Sequence, residues 1–159
     1  MNAISEEVMA EMEAEKWKDG EMEEEKPHPL VEACSELAIE IRHEVKAEGW
    51  KPDEEAGEHP IAEIINGVMI ASTKLAGALG MRVGEEEWPP DRLFAGDVLV
   101  RLKKARNRLR DAMRGLDSAD EEDLCTPAWR QRTRLAVSAI LARTQQHIDE
   151  ARAVLKNEG

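Results

Sequence analysis

The stretch Pro60 to Met81, PIAEIINGVMIASTKLAGALGM, constrains this chain more than any other, because so few charges interrupt it in a heavily charged sequence. Ile61, Ile64, Ile65, Val68, Ser72, Leu75 and Leu79 recur at three- and four-residue spacing, which is one face of an α-helix. Pro60 suits a first helical turn, and Gly80 followed by Met81 reads as a glycine stop with an apolar contact beyond it. The reverse face carries Gly67, Ile70, Thr73 and Gly77, with Glu63, Asn66 and Lys74 as the polar groups of the stretch. Both sides of such a helix can be covered, so the expectation is the central helix of a bundle. The same stretch is long enough to suggest a membrane span, but its internal polar groups and acidic flanks favour a core helix.

Composition points the same way. The 159 residues are 42% hydrophobic and 35% charged, sufficient for one domain with a real core. Tyrosine is absent and Phe94 is the single phenylalanine, so the core must come from Leu, Ile, Val, Ala and Met, which favours helix-on-helix packing. Runs of alternating β-branched residues are missing, and no sheet is expected. A net charge of −12 argues against nucleic acid or an anionic membrane as the main partner. The charge is uneven: acidic up to Pro90, modestly basic from Asp91 onward. Acidic and basic helices flanking one another in one bundle would account for it. Cys34 and Cys125 form neither a ligand cluster nor a disulfide framework, and Cys34 sits on an apolar helical face as a small buried thiol. The acidic start, without an apolar signal-type segment, leads to the expectation of a cytoplasmic protein.

In chain order, residues 1–26 read as an acidic N-terminal helix and linker. Ser5 caps a short amphipathic stripe of Ile4, Val8 and Met12, and the solvated run Glu21–Pro27 follows. Residues 27–159 read as the bundle domain. A helix from about Pro29 to Glu48 presents Leu30, Cys34, Leu37, Ile41 and Val45, and stops at Gly49-Trp50. Pro89-Pro90 opens a third helix with a seam of Val98, Leu102, Ala105, Leu109, Ala112 and Leu116, ending by the pattern at Gly115-Leu116. Ser118 with Glu121 would then cap one short turn. Thr126-Pro127 starts a fourth helix, lined by Val137, Leu141, Thr144, Ile148, Ala151 and Leu155. The predicted fold is an all-α, up-down four-helix bundle with a short, loosely attached N-terminal helix.

Several groups could carry chemistry. His28-Pro29 and His59-Pro60 each precede an early glutamate; this is a metal pairing or, more simply, helix-start chemistry. Glu40-Ile-Arg-His43 has the Glu-x-x-His spacing of di-iron bundles, but the fourth helix offers only the reversed His147-Ile-Asp-Glu150. Glu32, Glu36, Glu40, Glu44 and Glu48 follow each other by four residues, a row of like charges that suggests a compensating cation, basic helix or metal, or else a solvated face. Arg101, Lys103, Lys104, Arg106, Arg108, Arg110 and Arg114 make the third helix basic, and are read as a solvated outer face in which Arg101 and Arg108 meet glutamates of the first helix.

Glu32-Ala-Cys-Ser-Glu36, followed by Glu63-Ile-Ile-Asn66 and its apolar continuation, resembles the MazG-type all-α nucleoside triphosphate pyrophosphohydrolases. That family places Glu-Glu-x-x-Glu on one helix and Glu-x-x-Asp on the next. The resemblance covers the first two long helices and implies a magnesium site on Glu32, Glu36, Glu63 and Asn66. Ala33 and Asn66 stand where the family has carboxylates, leaving three of four. From the residues themselves, the leading expectation is a protein that acts by self-association or by binding a protein partner, with no catalytic site and no cofactor. The face carrying Gly67, Ile70 and Gly77 is its expected contact surface, for a second chain or for residues 1–18.

Overall fold

The computed structural model describes residues 28–50, 59–80 and 88–157. The expected N-terminal helix and linker lie outside them. Four helices carry the described fold: α1 Pro29–Glu48, α2 Pro60–Leu75, α3 Arg92–Glu121 and α4 Pro127–Lys156, with α2 prolonged by a π-helical turn over Ala76–Gly80. No strand occurs among the described residues.

The starts follow from local chemistry. Pro29, Pro60 and Pro127 occupy first turns, where the missing N–H removes nothing from the helix. The residue before each proline is the cap: Nδ1 of His28 accepts from the Leu30 N–H, Nδ1 of His59 from the Ile61 N–H, both at 3.1 Å, and Thr126 Oγ1 accepts from the Trp129 N–H at 3.2 Å. Gly49 ends α1 in the left-handed region at φ 75°, and the following Trp50 N–H bonds to the Val45 carbonyl.

The helices form a closed ring in which α1 touches α2, α2 touches α3, α3 touches α4 and α4 returns to α1. Neighbours run antiparallel. Gly115 of α3 lies beside Ile64, whereas Gly77 lies beside Arg101. Across the other seams, Met113 meets Ser138 while Arg106 meets Gln145, and Glu44 meets Trp129 while His28 meets His147. This is the expected up-down bundle. Its core holds every predicted seam residue of α3, together with Leu30, Cys34, Ile41, Val45, Ile61, Ile64, Val68, Leu75, Leu79, Val137, Thr144, Ile148 and Ala151. Leu37, Ile65, Leu141 and Leu155 are only half-buried, while Ala38, Ala71 and Ile140 take core places. Small residues in these seams let the backbones come close, so longer neighbours slide to the margin.

Two expectations about helix ends need correction. Gly115-Leu116 does not end α3, which continues through Ser118 to Glu121. Gly115 is an interior packing glycine, and Ser118 and Glu121 belong to the helix body. The second helix does not stay α-helical to Leu79: two glycines among its last five residues weaken the preference for a tight turn, and the chain widens there. The true corner after α3 is closed by Arg130. Its guanidinium donates to the Leu124 and Cys125 carbonyls and ion-pairs with Asp120 and Asp123, the Nε–Asp120 contact lacking hydrogen-bond alignment. Asp123 and Cys125 both take positive φ there (53° and 63°), a conformation that needs such outside support.

The closest approach in the bundle is between α2 and α3. A Cβ on Gly67 would stand 2.6 Å from the Arg108 carbonyl oxygen and 3.1 Å from Ala112 Cβ. One on Gly115 would stand 2.8 Å from Ile64 Cγ1 and 2.9 Å from the Pro60 carbonyl oxygen. By length and composition α2 with its extension could cross a bilayer; here its apolar face is spent on α1 and α3. Gly67 is part of that internal seam, which removes it from the contact surface expected for a second chain.

Gly96, also in α3, has open space where a Cβ would be. The two sites therefore separate packing from helix preference. Gly67→Ala should destabilise the protein by about 1–3 kcal/mol through forced separation of the helices. Gly96→Ala should stabilise it by about 0.5–1 kcal/mol. Urea unfolding of both variants, followed by circular dichroism, measures the difference in sign.

Candidate binding groove

Close packing of α2 on α3 leaves a furrow along their outer seam. One cavity of about 370 Å³ is lined by His59, Ala62, Glu63, Asn66 and Gly67 from the α2 side and by Arg108, Asp111 and Arg114 from α3. A second, about 410 Å³, is lined by Lys74, Lys104, Asn107, Arg108 and Asp111. They share Arg108 and Asp111, so together they form one groove.

Four cations face it, Lys74, Lys104, Arg108 and Arg114, against two carboxylates, Glu63 and Asp111. Asp111 holds Arg108 at 3.6 Å and also pairs with Arg114, which fixes the guanidinium end of the groove. Among the described residues neither Lys74 nor Lys104 has an ion-pair partner. Glu63 lies in the first turn of α2, where the helix dipole favours its charge. Asn66 and Asn107 add amide donors and acceptors between the charges. Such a surface can hold extended anionic chains by charge and hydrogen bonding.

Of the residues singled out from sequence, Glu63 and Asn66 line the groove. Glu32 and Glu36 are exposed on α1 and do not line it. Among the described residues no three His, Cys, Asp or Glu side chains are grouped so as to hold a metal ion. Arg101 and Arg108 pair within α3, with Asp97 and Asp111, rather than with glutamates of α1. Among the described residues, Glu44 is the one member of the glutamate row that reaches a basic helix: it accepts from Trp129 Nε1 at 3.2 Å and pairs with Arg132, both on α4. The groove cations were visible in sequence as a basic helix. Their concentration beside Lys74 was not, because it depends on the α2–α3 contact.

The histidines serve helix ends and a ring cluster. His28 and His59 are caps, and Glu40 and His43 are exposed. His147 donates from Nδ1 to the Arg143 carbonyl and packs edge-on against both His28 and Trp88, at centroid separations of 5.2 and 5.0 Å. Trp88 Nε1 in turn donates to Glu150 at 2.8 Å. Cys34 is fully buried; its thiol points at the Val68 carbonyl and burial pushes its pKa up to about 12. It is a packing residue. No family model matches the chain, and no curated protein or solved structure is significantly similar to it.

The His28 imidazole titrates below its ordinary 6.5, first because it is partly buried and then because His147 and Arg143 stand beside it. Its neutral form is also the one that caps α1. The unfolded chain therefore binds this proton more readily, and the stability associated with neutral His28 is lost as pH falls through 6.5 and below. Asparagine keeps the cap without the titration. His28→Asn should accordingly lose less melting temperature than wild type between about pH 7.5 and about pH 5.5. Equal losses in paired thermal melts would show that His28 does not contribute to the acid sensitivity.

Proposed function

We propose that the protein is a binding module whose α2–α3 groove receives an acidic, extended segment of a protein partner. The observation that carries this reading is the gathering of Lys74, Lys104, Arg108 and Arg114 in one groove of a chain whose net charge is −12. A local field of opposite sign to the whole molecule selects ligands at short range and leaves distant anions repelled.

The groove suits a peptide better than a polyphosphate strand. Glu63 and Asp111 sit among its cations and can accept backbone N–H groups, donors that a peptide offers and a polyphosphate strand lacks. Among the described residues no Trp or Phe lines it to stack a base. The same stripe of α3 continues to Val100 and Leu93, which are 51% and 84% exposed and lie one and two heptads before Asn107. An apolar end next to a cationic groove fits a protein segment with acidic and apolar residues. The magnesium-dependent pyrophosphohydrolase reading needs Glu32, Glu36 and Glu63 in one place; of these only Glu63 lines the groove, facing arginines.

A fluorescein-labelled peptide of alternating glutamate and alanine, followed by anisotropy, tests the reading. Reversing Lys104→Glu and Arg108→Glu together should weaken binding at least about tenfold, and added salt should weaken wild-type binding progressively. Binding that ignores the reversal, or tighter binding of a single-stranded RNA of equal charge, would contradict it.

A further inference from the structure

An acidic run stands immediately before α1: Glu21, Glu23, Glu24 and Glu25, upstream of Pro27. Its charge complements the α2–α3 groove, and the place where the described chain begins puts it within reach. His28 packs on His147 of α4, and Gln145, two residues away, accepts from Arg106 of α3. The start of α1 is therefore level with the Lys104 region of α3. Cys34 of α1 meets Val68 of α2, and because these helices are antiparallel, Lys74 lies toward the same end as His28. The cationic end of the groove and the entry of the chain into α1 are thus at one height, with the width of α2 between them.

That width is about 10 Å for a helix with its side chains. An extended chain covers about 3.3 Å per residue, so Glu25 can stand about 10 Å from His28 and Glu21 about 23 Å. The span is met without disturbing any described helix. A segment tethered this closely acts at an effective concentration of about millimolar, enough to compete with a free ligand of moderate affinity.

We infer that the Glu21–Glu25 run occupies the cationic groove in cis and acts as a built-in competitor of the acidic partner segment. This inference rests on the groove reading given above and adds regulation to it: a partner must displace the chain's own glutamates. Lys74 and Lys104, unpaired by described residues, are the groups that receive them. The competition is electrostatic, so neutralising the run opens the groove without altering any residue that lines it.

The full-length chain carrying Glu21→Gln, Glu23→Gln, Glu24→Gln and Glu25→Gln tests this with the same labelled glutamate–alanine peptide. A control with Glu40→Gln, Glu48→Gln, Glu121→Gln and Glu122→Gln, all exposed positions, makes the identical change in net charge. The expected result is affinity at least about fivefold tighter than wild type in the first variant only. Unchanged affinity, weaker affinity, or equal tightening in both variants overturns the in-cis competitor while leaving the groove reading standing. Light scattering on the wild type that shows doubled mass, lost in the first variant, overturns it in favour of exchange between two copies. Peptide binding indifferent to Lys104→Glu and Arg108→Glu in every background removes the groove reading and the inference together.

Discussion

Two helices brought close to backbone contact at a pair of glycines hold this bundle together. Gly67 of α2 lies against the Arg108 carbonyl and Ala112, and Gly115 of α3 lies against Ile64 and the Pro60 carbonyl. Each glycine makes room for the other helix, one near the middle of the contact and one near its end. Their cost in helix preference is about 1 kcal/mol apiece, offset by dispersion contacts between closely packed main chains and by burial of Val68, Ala105 and Ala112. α1 and α4 then close the ring over this pair. Trp50 and Trp129 stack edge-on at one end, while His28, His147 and Trp88 do so at the other.

The groove runs along the same helix pair. Along this contact the outer side of α2 shares a cavity with Arg108, Asp111 and Arg114. Cations spread along a solvated helix do little, because water and salt screen them. Gathered beside Lys74 and braced by Asp111, they give the groove a charge opposite in sign to that of the protein as a whole. Packing and proposed binding are therefore one design. Glu63 and Asn66 are in the groove because Gly67, next to Asn66, is what touches α3.

Much of this architecture is legible in the residues. Proline after His28, His59 and Thr126 marks three helix starts, Gly49 marks a stop, and the Val98-to-Leu116 seam is buried throughout. Those signals are local, and local chemistry decides them. Gly115 was misread as a terminator because a glycine followed by leucine looks alike at a helix end and at a helix crossing; only the partner, Ile64 with Pro60, tells them apart. The pairing of Arg108 with Asp111 rather than with α1 glutamates follows from ring order, since α3 packs on α2 and α4. Glu32, Glu36 and Glu63 have sequence spacing that suggests a shared site, yet spacing along two helices leaves their rotation about one another open. The groove depended on that rotation and was the least legible feature.

Residue-resolved amide hydrogen exchange under native conditions tests the central claim most directly, because it ranks the helices by the free energy needed to open them. If the α2–α3 pair is the base on which the bundle is built, the slowest amides should cluster at Ile64–Ala71 and Ala105–Leu116. Those of α1 should exchange by a lower-energy opening that leaves α2 and α3 protected. Slowest exchange in α1 and α4, with α2 and α3 opening at or below their level, would contradict the account.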